Sequence, residues 1–334
     1  MSLREGMRAW RNMMHPLRRA QRRQGRRIDD AWRSPSAVRT LSGCIGRDTM
    51  IRIALLLMLA LGTTIAYASS AGTGVAFVHG TGHQTDAYND YWQPTMVNTV
   101  RQGLVNQNNY TVINCDFEQY MWDSRAAGCL ATQLTSFIAS RNITDLVVIT
   151  HSNGGNVMRW IMSNPTYDSR YPNIISRIRW VNALAPSSAG TPLADAVISG
   201  NVFESALGWL LGYKSDAVRM QQLSWMAQYN QNNLYGTTGR PGLPKGFWNV
   251  VGTDVSSGIF SSNAYCGGYA LNVGLEITQN WLASCSDGFL NCTSQQAAGT
   301  HWFKDTTRLG GKVLSHNQSR RACFGLETIL RNDL

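Results

Sequence analysis

The stretch Leu146-Val147-Val148-Ile149-Thr150-His151-Ser152-Asn153-Gly154-Gly155 decides the fold of this chain. A β-branched apolar run stops at a serine, and two glycines follow before a helical pattern begins. A buried parallel strand that turns sharply into a helix lifts one hydroxyl above the sheet, the geometry of a nucleophile elbow. The turn holds the serine in a strained backbone conformation, so the residues two before and two after it must be small. Gly154 meets that demand, and Gly155 lets the helix lie close to the strand. Thr150 stands where the G-x-S-x-G pattern has its first glycine, so the match is partial.

Outward from the elbow, strand and helix patterns alternate, which predicts an α/β fold: a mostly parallel sheet flanked by helices. Gly74–Val78 reads as a strand ending at His79-Gly80, and Tyr110–Phe117 as the next. Trp92, Met96, Val97, Val100 and Leu104 recur at helical spacing, with Asn108-Asn109 closing that helix. Leu130, Leu134, Phe137 and Ile138 mark another helix, capped by Asp123 or Ser124. The helix from Gly155 stops before Asn164-Pro165, and Ile178–Leu184 and Phe247–Val251 read as two further strands. Between those two strands, residues 192–245 form a different texture, helical in pattern to Tyr235 and then rich in Gly and Pro. An insertion there is expected either to cap the site or to complete the core as a helical pair. Trp209, Leu210 and Leu211 are candidates for a lid at a lipid surface.

The formal net charge of +10 is not a nucleic-acid signal once it is located. Residues 1–52 hold 13 Arg against four acidic residues, leaving 17 basic and 16 acidic residues for the rest. A neutral body lacks the footprint that a phosphate backbone requires, so nucleic-acid binding is excluded. Arg52, the apolar run Ile53–Leu61 and Ala66-Tyr67-Ala68 describe a secretory signal over residues 50–68, cleaved after Ala68. The run is shorter than the roughly 20 apolar residues a spanning helix needs. Residues 1–49 are an Arg-rich leader or an over-extended start before Met50, and residues 69–334 the folded domain. Export to the periplasm or medium fits the cysteines, six of which fall in that domain. Cys115–Cys129 and Cys285–Cys292 are expected as local bridges, and no paired C-x-x-C units mark a zinc site. No cofactor or metal is expected, and a monomer is.

A serine hydroxyl needs a base, and the base needs an acid to hold its tautomer. On folds that carry this elbow the partners follow in the order Ser, Asp or Glu, His. His15 lies in the leader, His79 and His151 belong to turns and His83 precedes the serine, leaving His301 and His316. His316 is favoured, since it follows the short strand-like run Lys312-Val313-Leu314 near the chain end. For the acid, Asp287 leads and Asp254 stays an alternative. Asp287 opens an Asp-Gly turn clasped between Cys285 and Cys292, while Asp254 ends a strand. The N–H groups of Asn153, directly after the serine, and of Thr81, in the loop His79-Gly80-Thr81-Gly82, are candidate oxyanion donors.

Four islands, in this order, carry a resemblance: Val78-His79-Gly80, Thr150–Gly155, Ala189-Gly190-Thr191-Pro192-Leu193-Ala194-Asp195, and Ser286-Asp287-Gly288-Phe289-Leu290 with Cys292. The chain resembles the secreted bacterial triacylglycerol lipases and esterases of the α/β-hydrolase fold. That resemblance implies a serine carboxylic-ester hydrolase acting on acyl esters or lipids, with Ser152 as nucleophile, Asp287 as acid, His316 as base, and Thr81 and Asn153 as oxyanion donors. Several such lipases hold calcium through an acidic residue just after the histidine. Asn317-Gln318-Ser319 stand there in this chain, so the resemblance carries no calcium site over. The same elbow would also serve an acyltransferase, a peptidase or a polyester depolymerase, and a secreted binding protein could keep the fold without the chemistry.

Overall fold

The computed structural model describes residues 69–200, 214–255, 266 and 269–334. Among the described residues six strands form one fully parallel sheet in the order β2-β1-β3-β4-β5-β6. They are β1 (Thr73–Val78), β2 (Tyr110–Val112), β3 (Asp145–His151), β4 (Ile178–Leu184), β5 (Gly246–Val251) and β6 (Thr300–Lys304). Strand alternation splits the core into two layers. Val75, Phe77, Val147 and Ile149 face α1 (Pro94–Arg101), whose Met96, Val97 and Val100 join the same cluster. Ala76, Val78, Leu146 and Val148 face the other way, against α2 (Cys129–Arg141), α3 (Gly154–Ser163) and α4 (Tyr171–Arg177). Burial on both faces is why β1 and β3 read as continuous apolar runs.

Between β4 and β5 the chain forms α5 (Pro192–Ile198), α6 (Asp216–Met220) and α7 (Leu223–Asn232). Met220 and Met226 of this excursion are buried in the main core. Leu193 and Val197 pack with Leu275 of α8 (Tyr269–Thr278) and with Phe289 and Leu290 in a third cluster, under the loop that carries Asp287. Trp209, Leu210 and Leu211 lie outside the described residues, as do the leader and signal segments. The chain ends in α9 (Leu326–Asn332), whose Leu326 and Leu330 join the layer of α1.

Several element boundaries differ from expectation. Strand β2 covers only Tyr110–Val112, because beyond it the Asn114 N–H turns to Gln133 Oε1 and Cys115 is bridged to Cys129 at the start of α2. Helix α1 stops at Arg101, well before Asn108-Asn109, and Gly103 follows in a turn. Trp92 sits in a separate π-helical turn, Tyr88–Trp92. Asp123 caps a π-helical turn, Ser124–Gly128, by accepting the Arg125 N–H at 2.8 Å, and that turn runs directly into α2. The run before His316 is not a strand. Gly310 and Gly311 both take positive φ, 62° and 76°, and the Leu314 N–H binds the Asp305 carboxylate instead of a neighbouring strand. The last strand is β6, which contains His301.

Three disulfides fasten the loops: Cys115–Cys129, Cys285–Cys292 and Cys266–Cys323. Among the described residues no helix is long and apolar enough to cross a membrane.

Candidate active site

Ser152 ends β3 with φ at +53°, in the left-handed region that a non-glycine residue adopts only under constraint. Its N–H reaches the Leu184 carbonyl at the end of β4 (3.0 Å), and its carbonyl accepts the Gly155 N–H (3.1 Å). Helix α3 starts immediately behind it. The space there is nearly closed: a Cβ on Gly154 would collide with the His79 carbonyl oxygen, and one on Gly80 with the Tyr91 hydroxyl and the Ser152 Cβ.

The Ser152 Oγ lies 3.0 Å from His316 Nε2, and His316 Nδ1 lies 2.8 Å from Asp287 Oδ2. Asp287 is fully buried, and its second oxygen accepts the N–H groups of Phe289 (2.9 Å) and Leu290 (2.7 Å). Its carbonyl accepts the His316 N–H at 2.8 Å, so acid and imidazole are joined through backbone as well as side chain. The Asp287 loop is closed by Cys285–Cys292, and the Phe289 ring stacks on His316 with centroids 4.7 Å apart.

The alternatives lie elsewhere. Asp254 Oδ1 accepts the Val255 N–H (2.8 Å) and Gln279 Nε2 (2.5 Å), and His301 is exposed on edge strand β6. Thr81 lines the cleft, and its hydroxyl accepts from Gln221 Nε2 at 3.0 Å. Asn153 is buried at the head of α3. Neither the Thr81 nor the Asn153 N–H donates to a protein acceptor among the described residues.

Two histidines that the sequence assigned only to turns hold this arrangement from beneath. His151 is buried, and burial first, then the neighbouring His316 and Arg320, pushes its pKa well below the usual imidazole value. It is therefore neutral. Its Nε2–H donates to the His316 carbonyl (2.9 Å), so its Nδ1 must accept, and the Tyr91 hydroxyl donates to it (2.5 Å). Burial holds the Tyr91 phenol protonated, with its pKa pushed up to about 12. His79 is also fully buried, and burial lowers its pKa to about 4. Its Nδ1–H donates to the Gly80 carbonyl (2.7 Å) and its Nε2 accepts the Cys115 N–H (3.3 Å), which fixes the loop carrying Thr81.

Asp305 is a third residue that the sequence reading did not single out. Its buried carboxylate accepts the Thr253 N–H (2.8 Å) and hydroxyl (2.7 Å) and the Leu314 N–H (2.6 Å). It thereby joins the end of β5 to the segment leading into His316. Among the described residues no cluster of three His, Cys, Asp or Glu side chains could hold a metal ion.

Above the serine lies a cleft of about 560 Å³. A parallel sheet with helices on both faces, a serine on a left-handed turn between strand and helix, and a cleft at the carboxyl ends of the strands define the α/β-hydrolase fold. The mature form of the Bacillus licheniformis lipase BlEst2 superposes with a TM-score of 0.56 at 18% identity, over 80% of this chain and 95% of that one. The same lipase in its propeptide form gives a TM-score of 0.52 at 17% identity, over 76% of this chain and 48% of that one. No protein-family model and no curated protein sequence matches the chain.

Proposed function

We propose that this chain is an exported serine hydrolase of carboxylic esters, a lipase or esterase working through an acyl-enzyme. The observation that carries the reading is the hydrogen-bonded line from Ser152 Oγ to His316 Nε2 (3.0 Å) and from His316 Nδ1 to Asp287 Oδ2 (2.8 Å). Asp287 holds the proton on Nδ1 and leaves the Nε2 lone pair facing the serine. As Ser152 attacks the ester carbonyl, His316 takes the hydroxyl proton and Asp287 offsets the charge of the imidazolium. The uncommitted N–H groups of Thr81 and Asn153 receive the oxyanion, and His316 returns its proton to the departing alcohol. Water then repeats the sequence on the acyl-enzyme and releases the acid. Three disulfides support an oxidising destination outside the cytoplasm.

Ser152→Ala tests the assignment. Turnover of p-nitrophenyl butyrate should fall by about 10⁶-fold in kcat, and labelling by a fluorophosphonate probe should vanish. Near-normal turnover in the variant would remove Ser152 from the chemistry.

A further inference from the structure

The cleft above Ser152 is chemically two-sided. Leu271 and Leu275 of α8, with Phe289, form an apolar wall suited to an acyl chain, while Arg320 and Asp90 contribute charge on the polar side. Arg320 is a half-buried cation. Its guanidinium donates to the Tyr91 carbonyl and to Asn317 Oδ1 (3.0 Å), and lies 4.3 Å over the Tyr91 ring. Both acceptors are neutral, and no carboxylate pairs with it among the described residues. Only two of its five N–H groups are thereby used. A guanidinium withdrawn from bulk water without a counter-charge is unfavourable until an anion completes it, and its planar fork matches a phosphate. Asp90 is exposed and makes no ion pair with Arg320. One cleft therefore offers an unpaired cation in its lining and a free carboxylate in contact with solvent.

We propose that the substrates of this site are glycerophospholipids with a zwitterionic headgroup, Arg320 holding the phosphodiester and Asp90 facing the ammonium. The proposal rests on the ester-hydrolase reading above. One water is consumed and the acyl C–O bond breaks. A fatty acid and a lysophospholipid leave, and the phosphodiester stays intact.

The test compares two soluble substrates below their micelle-forming concentrations, dihexanoyl phosphatidylcholine and dihexanoylglycerol, which differ by the headgroup. The intact protein should favour the phospholipid by about tenfold in kcat/KM, the scale of one charge-assisted contact. In Arg320→Gln that ratio should fall toward one, on top of any loss both substrates share through loosened contacts to Tyr91 and Asn317. Asp90→Asn should move the choice of headgroup from phosphatidylcholine toward phosphatidylglycerol. An intact protein that prefers the diacylglycerol, or an Arg320→Gln ratio equal to that of the intact protein, overturns the phosphate site alone. Preference for a succinate half-ester over the phospholipid overturns it in favour of a carboxylate. Hydrolysis of neither glycerolipid while p-nitrophenyl butyrate is still turned over overturns this proposal alone, and failure on all three esters removes the hydrolase reading with it.

Discussion

Lowering the pH from 7 to 5 is expected to destabilise the fold through His79. Burial takes the imidazole pKa from 6.5 to about 4 in the folded chain. The unfolded chain accepts a proton near pH 6.5 and the folded chain only near pH 4. Between those values unfolding takes up a proton, so stability is complete above the upper one and is lost as pH falls toward the lower. With those two constants, one titrating group loses about 2 kcal/mol between pH 7 and pH 5. His151, whose pKa is lowered for the same principal reason, acts in the same direction. Urea unfolding followed by tryptophan fluorescence at both pH values, for the natural chain and His79→Gln, isolates the contribution, because every other titrating group is common to both. The variant starts less stable, having lost the Cys115 contact, but its loss between the two pH values should be smaller by about 2 kcal/mol. Equal losses in the two proteins would refute a neutral, proton-excluding His79.

Two further outcomes follow from the groups beneath the cleft. His151→Phe leaves the Tyr91 hydroxyl and the His316 carbonyl unpaired and frees the His316 segment, so kcat should drop by about 10–100-fold with KM little changed. His151→Gln, which can still donate to that carbonyl, should recover part of the loss, and equal activity in both variants would exclude a positioning role. Replacing Cys285 and Cys292 together by Ala opens the short loop that holds Asp287, lowering stability by about 2–3 kcal/mol in thermal unfolding. Activity at low temperature should fall as well, and an unchanged pH–rate profile would show that the loop holds its shape without the bridge.

What the sequence made legible is what local chemistry dictates. The Leu146–Gly155 stretch needed only a run of apolar residues, a serine and two glycines to announce a strand, a sharp turn and a helix. Strands β3, β4 and β5 followed within a residue of expectation: β3 is an apolar run from Leu146 to Ile149 buried on both faces, and β4 and β5 are mostly apolar although Arg179, Asn182 and Asn249 interrupt them. Cys115–Cys129 and Cys285–Cys292 were legible from proximity along the chain. The Cys266–Cys323 bridge joins residues 57 apart and leaves no local trace. The same limit explains β6 and the segment before His316. Thr300-His301-Trp302-Phe303-Lys304 pairs with β5 although three of its five residues are polar, because it lies at the sheet edge. Val313-Leu314 is apolar yet irregular, because the Asp305 carboxylate takes its N–H. A side chain acting on distant backbone has no periodicity to detect.

Three imidazoles, those of His79, His151 and His316, flank the turn that carries Ser152, and the first two are buried. His79 and His151 are enclosed, carry no charge, and spend both ring nitrogens on holding backbone: the Gly80 turn and Cys115 on one side, the His316 carbonyl and Tyr91 on the other. His316 alone has one ring nitrogen on a buried carboxylate and the other on the serine hydroxyl, and it lines the cleft. In the proposed mechanism the proton leaving Ser152 goes to His316, because a charge on His151, with ring centroids 4.6 Å away, would meet both desolvation and repulsion from His316. The enclosed pair thus do two things with one property. By staying neutral they fix the tautomers that position the loop bearing Thr81 and the loop bearing His316, and under the proposed mechanism they leave proton transfer to the single imidazole hydrogen-bonded to Ser152.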